Sequence, residues 1–152
     1  MAENQAMPPP PPAKIRVRSW FVYPVPAVTV APAAQGNSTV QIDAATNFYW
    51  VKTSFWADNN AGAGGQTAAT RIIPAIDVQI TVTGADKNLF NARVPVGSIA
   101  GTGELPYVLP FPMLLAANSQ INFEFLSREA ANTIRLVMAL HGWKDYGELT
   151  EG

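Results

Sequence analysis

"IDVQITVT", Ile76 to Thr83, alternates apolar and polar residues without a break. Ile76, Val78, Ile80 and Val82 fall on one side of an extended chain; Asp77, Gln79, Thr81 and Thr83 fall on the other. This is the pattern of a strand with one face in a core and the other in water. A helix would scatter the four apolar positions around its circumference.

The same period recurs on either side. Gln120 to Leu126 places Ile121, Phe123 and Phe125 together, and "TIRLVMALHGW" places Ile134, Leu136, Met138 and Leu140 inward. "KIRVRSWFVY", Lys14 to Tyr23, carries Lys14, Arg16 and Arg18 on one face with Ile15, Val17 and Ser19 on the other. Ala27 to Val30 reads as a short edge strand bounded by prolines. Val40 and Ile42 alternate with Thr39, Gln41 and Asp43, and Thr46-Asn47 turns the chain.

Phe48 to Trp56 is rich in aromatic and β-branched residues, as a central strand is. Strict alternation puts Tyr49, Val51, Thr53 and Phe55 on one face and Phe48, Trp50, Lys52, Ser54 and Trp56 on the other. Both faces carry bulk, so the strand is expected to be buried on both sides or to lie in an interface. Asp58 to Thr70, Asp86-Lys87-Asn88 and Asn118-Ser119 read as loop and turns. "NLFNARVPVGS" gives another short strand, and Ser127 to Asn132 a connection. About seven to nine short strands without a convincing helix or a fixed repeat argue an antiparallel sandwich or barrel.

"LPYVLPFPMLL", Leu105 to Leu115, holds Pro106, Pro110 and Pro112. Each proline removes a backbone donor, so neither a membrane helix nor a central strand fits. The stretch is expected to be an extended rim segment leading into "QINFEF", with Tyr107, Val108, Phe111 and Met113 offered to the core or to a neighbour. At the other end, Pro8 to Pro12 favour polyproline II, so residues 1–13 read as an extended arm. Residues 14–146 form the β domain, and 147–152 a polar tail.

Hydrophobic residues make up 48% of the 152, yet charged residues only 14%. A water-bathed domain ordinarily carries about a quarter charged residues, so much of this surface is expected to meet other protein. Ten basic against eleven acidic residues leave a net charge of −1, which offers no general attraction to nucleic acid or anionic membrane. With no cysteine, disulfides and thiolate metal sites are excluded. The N-terminal residues show no basic region followed by an apolar core, so no secretory signal is expected.

Catalytic patterns are sparse. His141 is the single histidine, too few for a histidine-ligated metal of cupin type, and no nucleophile elbow accompanies it. Asp43, Asp77, Glu124 and Glu129 show no spacing that singles out an acid–base pair. Asp58-Asn59-Asn60 lacks EF-hand spacing, and the glycines at 62–65 lack the Lys-Ser/Thr of a phosphate loop. No catalytic residue, metal or cofactor is therefore expected. The aromatic residues are more informative. Trp20, Phe21, Tyr23, Phe48, Tyr49, Trp50, Phe55 and Trp56 together exceed what one small core can hold, and the surplus is expected to anchor an interface or to stack on sugars.

"LPFPMLLAANSQINFEFLSREAANTIRLVMALHGWK", Leu109 to Lys144, resembles the last strands of small jelly-roll or sandwich proteins of tailed-bacteriophage virions. A proline-rich lead-in, an "AANS" turn, an alternating strand, a polar connection and a final strand ending Leu140-His141-Gly142 carry the resemblance. It implies a jelly-roll sandwich and a non-enzymatic capsid cement or decoration protein, sited on the virion's capsid surface after synthesis in the host cytoplasm. The implied partners are the major capsid protein and further copies of the chain, as a dimer or trimer. Interface candidates are then Pro8, Pro9, Pro10, Pro11, Pro12, Trp20, Tyr23, Trp50, Trp56, Tyr107, Phe111 and Met113. The alternative is a carbohydrate- or receptor-binding module of a fibre or neck, using Tyr49, Trp50 or Trp56 as stacking platforms.

Overall fold

In the computed structural model, residues 8–12, 14–59, 72–83, 87–90 and 92–150 are described. They form nine strands: β1 (Lys14–Val30), β2 (Gln35–Gln41), β3 (Asn47–Asp58), β4 (Ile76–Thr83), β5 (Lys87–Asn88), β6 (Val94–Pro95), β7 (Tyr107–Leu115), β8 (Gln120–Ser127) and β9 (Ile134–Thr150). A 3₁₀ turn, Val96–Ser98, follows β6. The expected loop over residues 60–70 and the turn residue Asp86 lie outside the described residues, as do Met1 to Met7 and Ala13.

Two antiparallel sheets face each other. The first has the order β1-β9-β3-β7; the second has β2-β8-β4, with the short β5 and β6 both pairing β4. The pairing is nested: β1 with β9, β2 with β8, β3 with β7, β4 with β5 and β6. The chain thus behaves as one long antiparallel ribbon folded over itself. The β3–β9 and β4–β8 ladders then close each sheet. The all-β antiparallel sandwich expected from the alternating pattern is the observed fold.

The core lies between the sheets. Ile76, Val78, Ile80, Ile121, Phe123 and Phe125 enter from the second sheet, and Phe48, Trp50, Leu136, Met138 and Leu140 from the first. Burying each of these side chains contributes about 1.5–3 kcal/mol against exposure.

Three irregularities depart from the strict alternation. Trp50 and Lys52 pair with Gly142 and His141, so Val51 is an extra residue in β3. This bulge shifts the parity of the strand. Phe48 and Trp50 point inward before it; Thr53, Phe55 and Ala57 point inward after it. The expected sharing of one face by Tyr49, Val51, Thr53 and Phe55 is therefore corrected. A second bulge sits between Val25 and Val28, which lets β1 run through Pro24 and Pro26 as one edge strand instead of two segments. The third lies in β9 opposite Arg16 and Arg18, where Gly147 has φ +85°, a backbone region that glycine adopts without a Cβ penalty. It carries β9 to Thr150, so the expected polar tail begins as strand.

Turn chemistry is as the sequence suggests at Asn118, whose φ is 63°. The turn expected at Thr46-Asn47 falls just earlier, at Ala44-Ala45. Lys87 and Asn88, read as turn residues, pair with Val82 and Thr81 instead. One end of the sandwich is fastened by a lysine: the Lys144 ammonium donates to the Asp43 carboxylate while lying 3.5 Å from the Phe21 ring centroid. Burial pushes the Lys144 pKa down, but the Asp43 hydrogen bond, with the Tyr23 and Asp43 charges, outweighs it and the net shift is upward. The same hydrogen bond lowers the pKa of Asp43.

Candidate functional site

The two sheets differ in what they show to the outside. On β2, β8 and β4 the outward residues include Thr39, Asn122, Glu124, Gln79 and Thr81, a polar lattice. Within it, Thr39 donates to Asn122 and Asn122 to Thr83. An antiparallel sheet with one solvated face should look like this.

The first sheet does not. Following its register across the strands gives a row Trp20–Trp143–Tyr49–Leu114 on β1, β9, β3 and β7. The next row is Val22–His141–Lys52–Val108, and the third is Pro24–Ala139–Ser54. Val137 and Trp56, paired across β9 and β3, continue it. Apolar and aromatic side chains dominate a face over which the described residues place no second layer.

Contacts within the face are ordered. Tyr49 and Trp143 stack at 5.6 Å with 21° between planes, and the Arg18 guanidinium lies 5.6 and 5.4 Å from their centroids. Lys52 Nζ lies 5.2 Å from the Trp20 ring. Arg16 donates to Asp145 at 2.7 Å; with the Gly147 backbone N–H it lowers the Asp145 pKa. Ser54 Oγ and His141 Nε2 are 2.8 Å apart. Burial, and then the Lys52 charge, hold the imidazole below its ordinary pKa, so it is neutral at pH 7.

The Ser54–His141 pair is a cross-strand hydrogen bond, and among the described residues no carboxylate orients the imidazole. Three of the four carboxylates considered from sequence are held by cations: Asp77 by Arg128 at 2.7 Å, Glu124 by Arg93 at 3.7 Å and Asp43 by Lys144. Among the described residues no cluster of three metal-ligating side chains occurs.

At the rim, β7 is one of the two edge strands of the first sheet. Between Lys52↔Val108 and Trp50↔Met113, β3 advances two residues and β7 five, so Leu109 to Pro112 swing out of the ladder. Phe111 is left 72% exposed, and Leu105, Val108 and Leu114 are exposed beside it. The rim expected from the prolines is there. Its side chains divide: Tyr107 and Met113 are half-buried opposite the inward Thr53 and Trp50, while Val108 and Phe111 face out.

Of the other candidates, Pro8 to Pro12 are exposed and outside any strand, Trp20 is 53% exposed, and Trp56 is half-buried on the outer face. Tyr23 and Trp50 are corrected to core positions. Tyr23 packs edge-on against Phe48 and its hydroxyl accepts from the Asp43 N–H. Trp50 donates to Thr53 Oγ1 at 2.9 Å. Trp143, His141 and Leu114 belong to the face and were missed. For the first two, the period that sends Leu136 and Leu140 inward already sends 141 and 143 outward.

No family model, no curated protein and no solved structure matches this chain at a significant level.

Proposed function

We propose that the chain is a non-enzymatic virion structural protein of tailed bacteriophages, of the cement or decoration kind, with a jelly-roll sandwich. One observation carries the reading: the outer face of the first sheet and the adjoining β7 rim form a continuous apolar and aromatic surface. Its rows run from Trp20 to Leu114 and on to Phe111. Surfaces of this kind mark protein contact. The nested pairing of first strand with last supports the jelly-roll reading, since that winding yields two interleaved four-strand sheets. The Leu109–Lys144 resemblance supports the virion assignment.

In this account the rim seats on the major capsid protein. Apolar area removed from water supplies the affinity at each site, and repetition over the shell multiplies weak contacts. The glycan-binding alternative gains less support, because Arg18 sits against the Tyr49 and Trp143 rings and Lys52 against Trp20, where a sugar would stack. Particles purified without this chain are expected to lose genome at lower temperature and after milder osmotic shock than particles that carry it. Unchanged particle robustness would refute a cement role, and specific hits on a glycan array would favour the alternative.

A further inference from the structure

Across the outer face, the third row is made of small residues. Pro24, Ala139 and Ser54 form the floor of an open trough of about 250 Å³ that ends at Gly103. Val137 and Trp56 line it on one side; the row of His141 and Lys52 is the next one along the strands on the other, with the Lys52 ammonium turned toward Trp20. Rows two apart stand about 13 Å from each other along the strands, wide enough for one extended chain.

We infer that this trough holds the proline run Pro8–Pro12 of a second copy of the chain. The inference rests on the reading of this face as an interface and names its occupant. An ordinary extended segment laid on so apolar a floor would bury N–H groups without acceptors. A proline run has no N–H to lose; only its carbonyls need partners.

The Ser54–His141 pair supplies one. A neutral imidazole and a hydroxyl together own two polar hydrogens, and their mutual bond uses one. Whichever tautomer is present, one N–H or O–H remains to donate. Aromatic walls with a donor at the edge are how polyproline II segments are generally recognised, and the preformed helix has little entropy to lose on docking.

A further observation selects a second copy's arm. Reach excludes the chain's own. Pro24 lies ten residues along β1 from Lys14, about 33 Å. Pro8 is six residues before Lys14 and extends at most about 22 Å from it. Charge does not oppose it: Glu3 is the one charged side chain among positions 1–13, and Lys52 stands in the row beside the trough.

The test uses sedimentation velocity on the full chain. The wild type is expected to associate. A variant with Pro9→Gly, Pro10→Gly and Pro11→Gly, which breaks the polyproline helix, is expected to be monomeric. So is Ala139→Leu, which fills the trough from the solvent side without touching the core. A synthetic peptide of residues 2–13 should shift the tryptophan emission of the triple-glycine variant and leave that of Ala139→Leu unchanged. Association that survives both changes, or a peptide that binds Ala139→Leu equally well, would overturn the inference; so would a monomeric wild type that ignores the peptide. Loss of association in Ala139→Leu alone would assign the trough to another part of the second copy and overturn it too. Particle robustness is measured separately, so the arm and the cement role can fail independently.

Discussion

Ser54 Oγ and His141 Nε2 meet at 2.8 Å across the β3–β9 ladder, on the open side of the first sheet. The bond depends on the bulge at Val51. Were Val51 to take a regular place in the ladder, Ser54 would point into the core and Thr53 outward.

The imidazole in this bond resists protonation, because burial and the Lys52 charge lower its pKa. The unfolded chain therefore takes up the proton first as pH falls. Stability from this source is full above about pH 6.5 and declines as pH drops from there toward the lower folded-state value. Urea midpoints are expected to fall between pH 7 and 5.5 in the wild type and to stay level in His141→Gln.

A second acid-sensitive range lies lower. Asp43 and Asp145 both have lowered pKa values, from the Lys144 and the Arg16 hydrogen bonds respectively. Their contribution is present above about pH 4 and is lost as pH falls through the folded values. Asp43→Asn also leaves a buried Lys144 without its carboxylate. It should lower the thermal midpoint at pH 7 more than Lys144→Met does, because methionine fills the same apolar path without a charge. Scanning calorimetry of the two variants checks the order.

Gly142 sits where β9 and β3 approach too closely for a side chain. A Cβ there would lie 1.8 Å from the Tyr49 carbonyl oxygen, a backbone atom that moves only if the ladder moves. Gly142→Ala is expected to cost about 3 kcal/mol or more by chemical denaturation. Gly97→Ala, with nothing near its Cβ, should stay within about 0.5 kcal/mol of wild type.

The tryptophans separate by role. Trp50→Ala removes a core side chain hydrogen-bonded to Thr53 and is expected to cost about 3–5 kcal/mol. Trp20→Ala, on the open face, should change stability by no more than about 0.5 kcal/mol. Iodide should quench Trp20 and spare Trp50, as read in single-tryptophan variants.

Much of the fold was legible because most of the core follows the simplest pattern. Ile76 to Val82, Ile121 to Phe125 and Ile134 to Leu140 alternate without interruption, and each alternating set lies inward. What the pattern does not carry is the single inserted residue. Val51 looks like its neighbours in a β-branched, aromatic run, and nothing local marks the parity change that sends Trp50 and Phe55 to the same side. Pro24 and Pro26 likewise look like strand breaks until an edge position and a bulge are available to absorb them.

The site was partly legible. Prolines announced the β7 rim, since an edge strand is where missing donors do no harm. The rows of the open face depend on register between strands distant in sequence, such as Trp20 with Trp143. His141 taken alone looked like an isolated polar residue; beside Lys52 and Val22 it is part of a surface.

The central claim is that this surface is covered in the virion. Hydroxyl-radical footprinting of the free chain and of purified particles carrying it compares Trp20 and Phe111 in the two states. The account predicts rapid oxidation of both in the free chain and strong protection on particles. Equal oxidation in both states would contradict it.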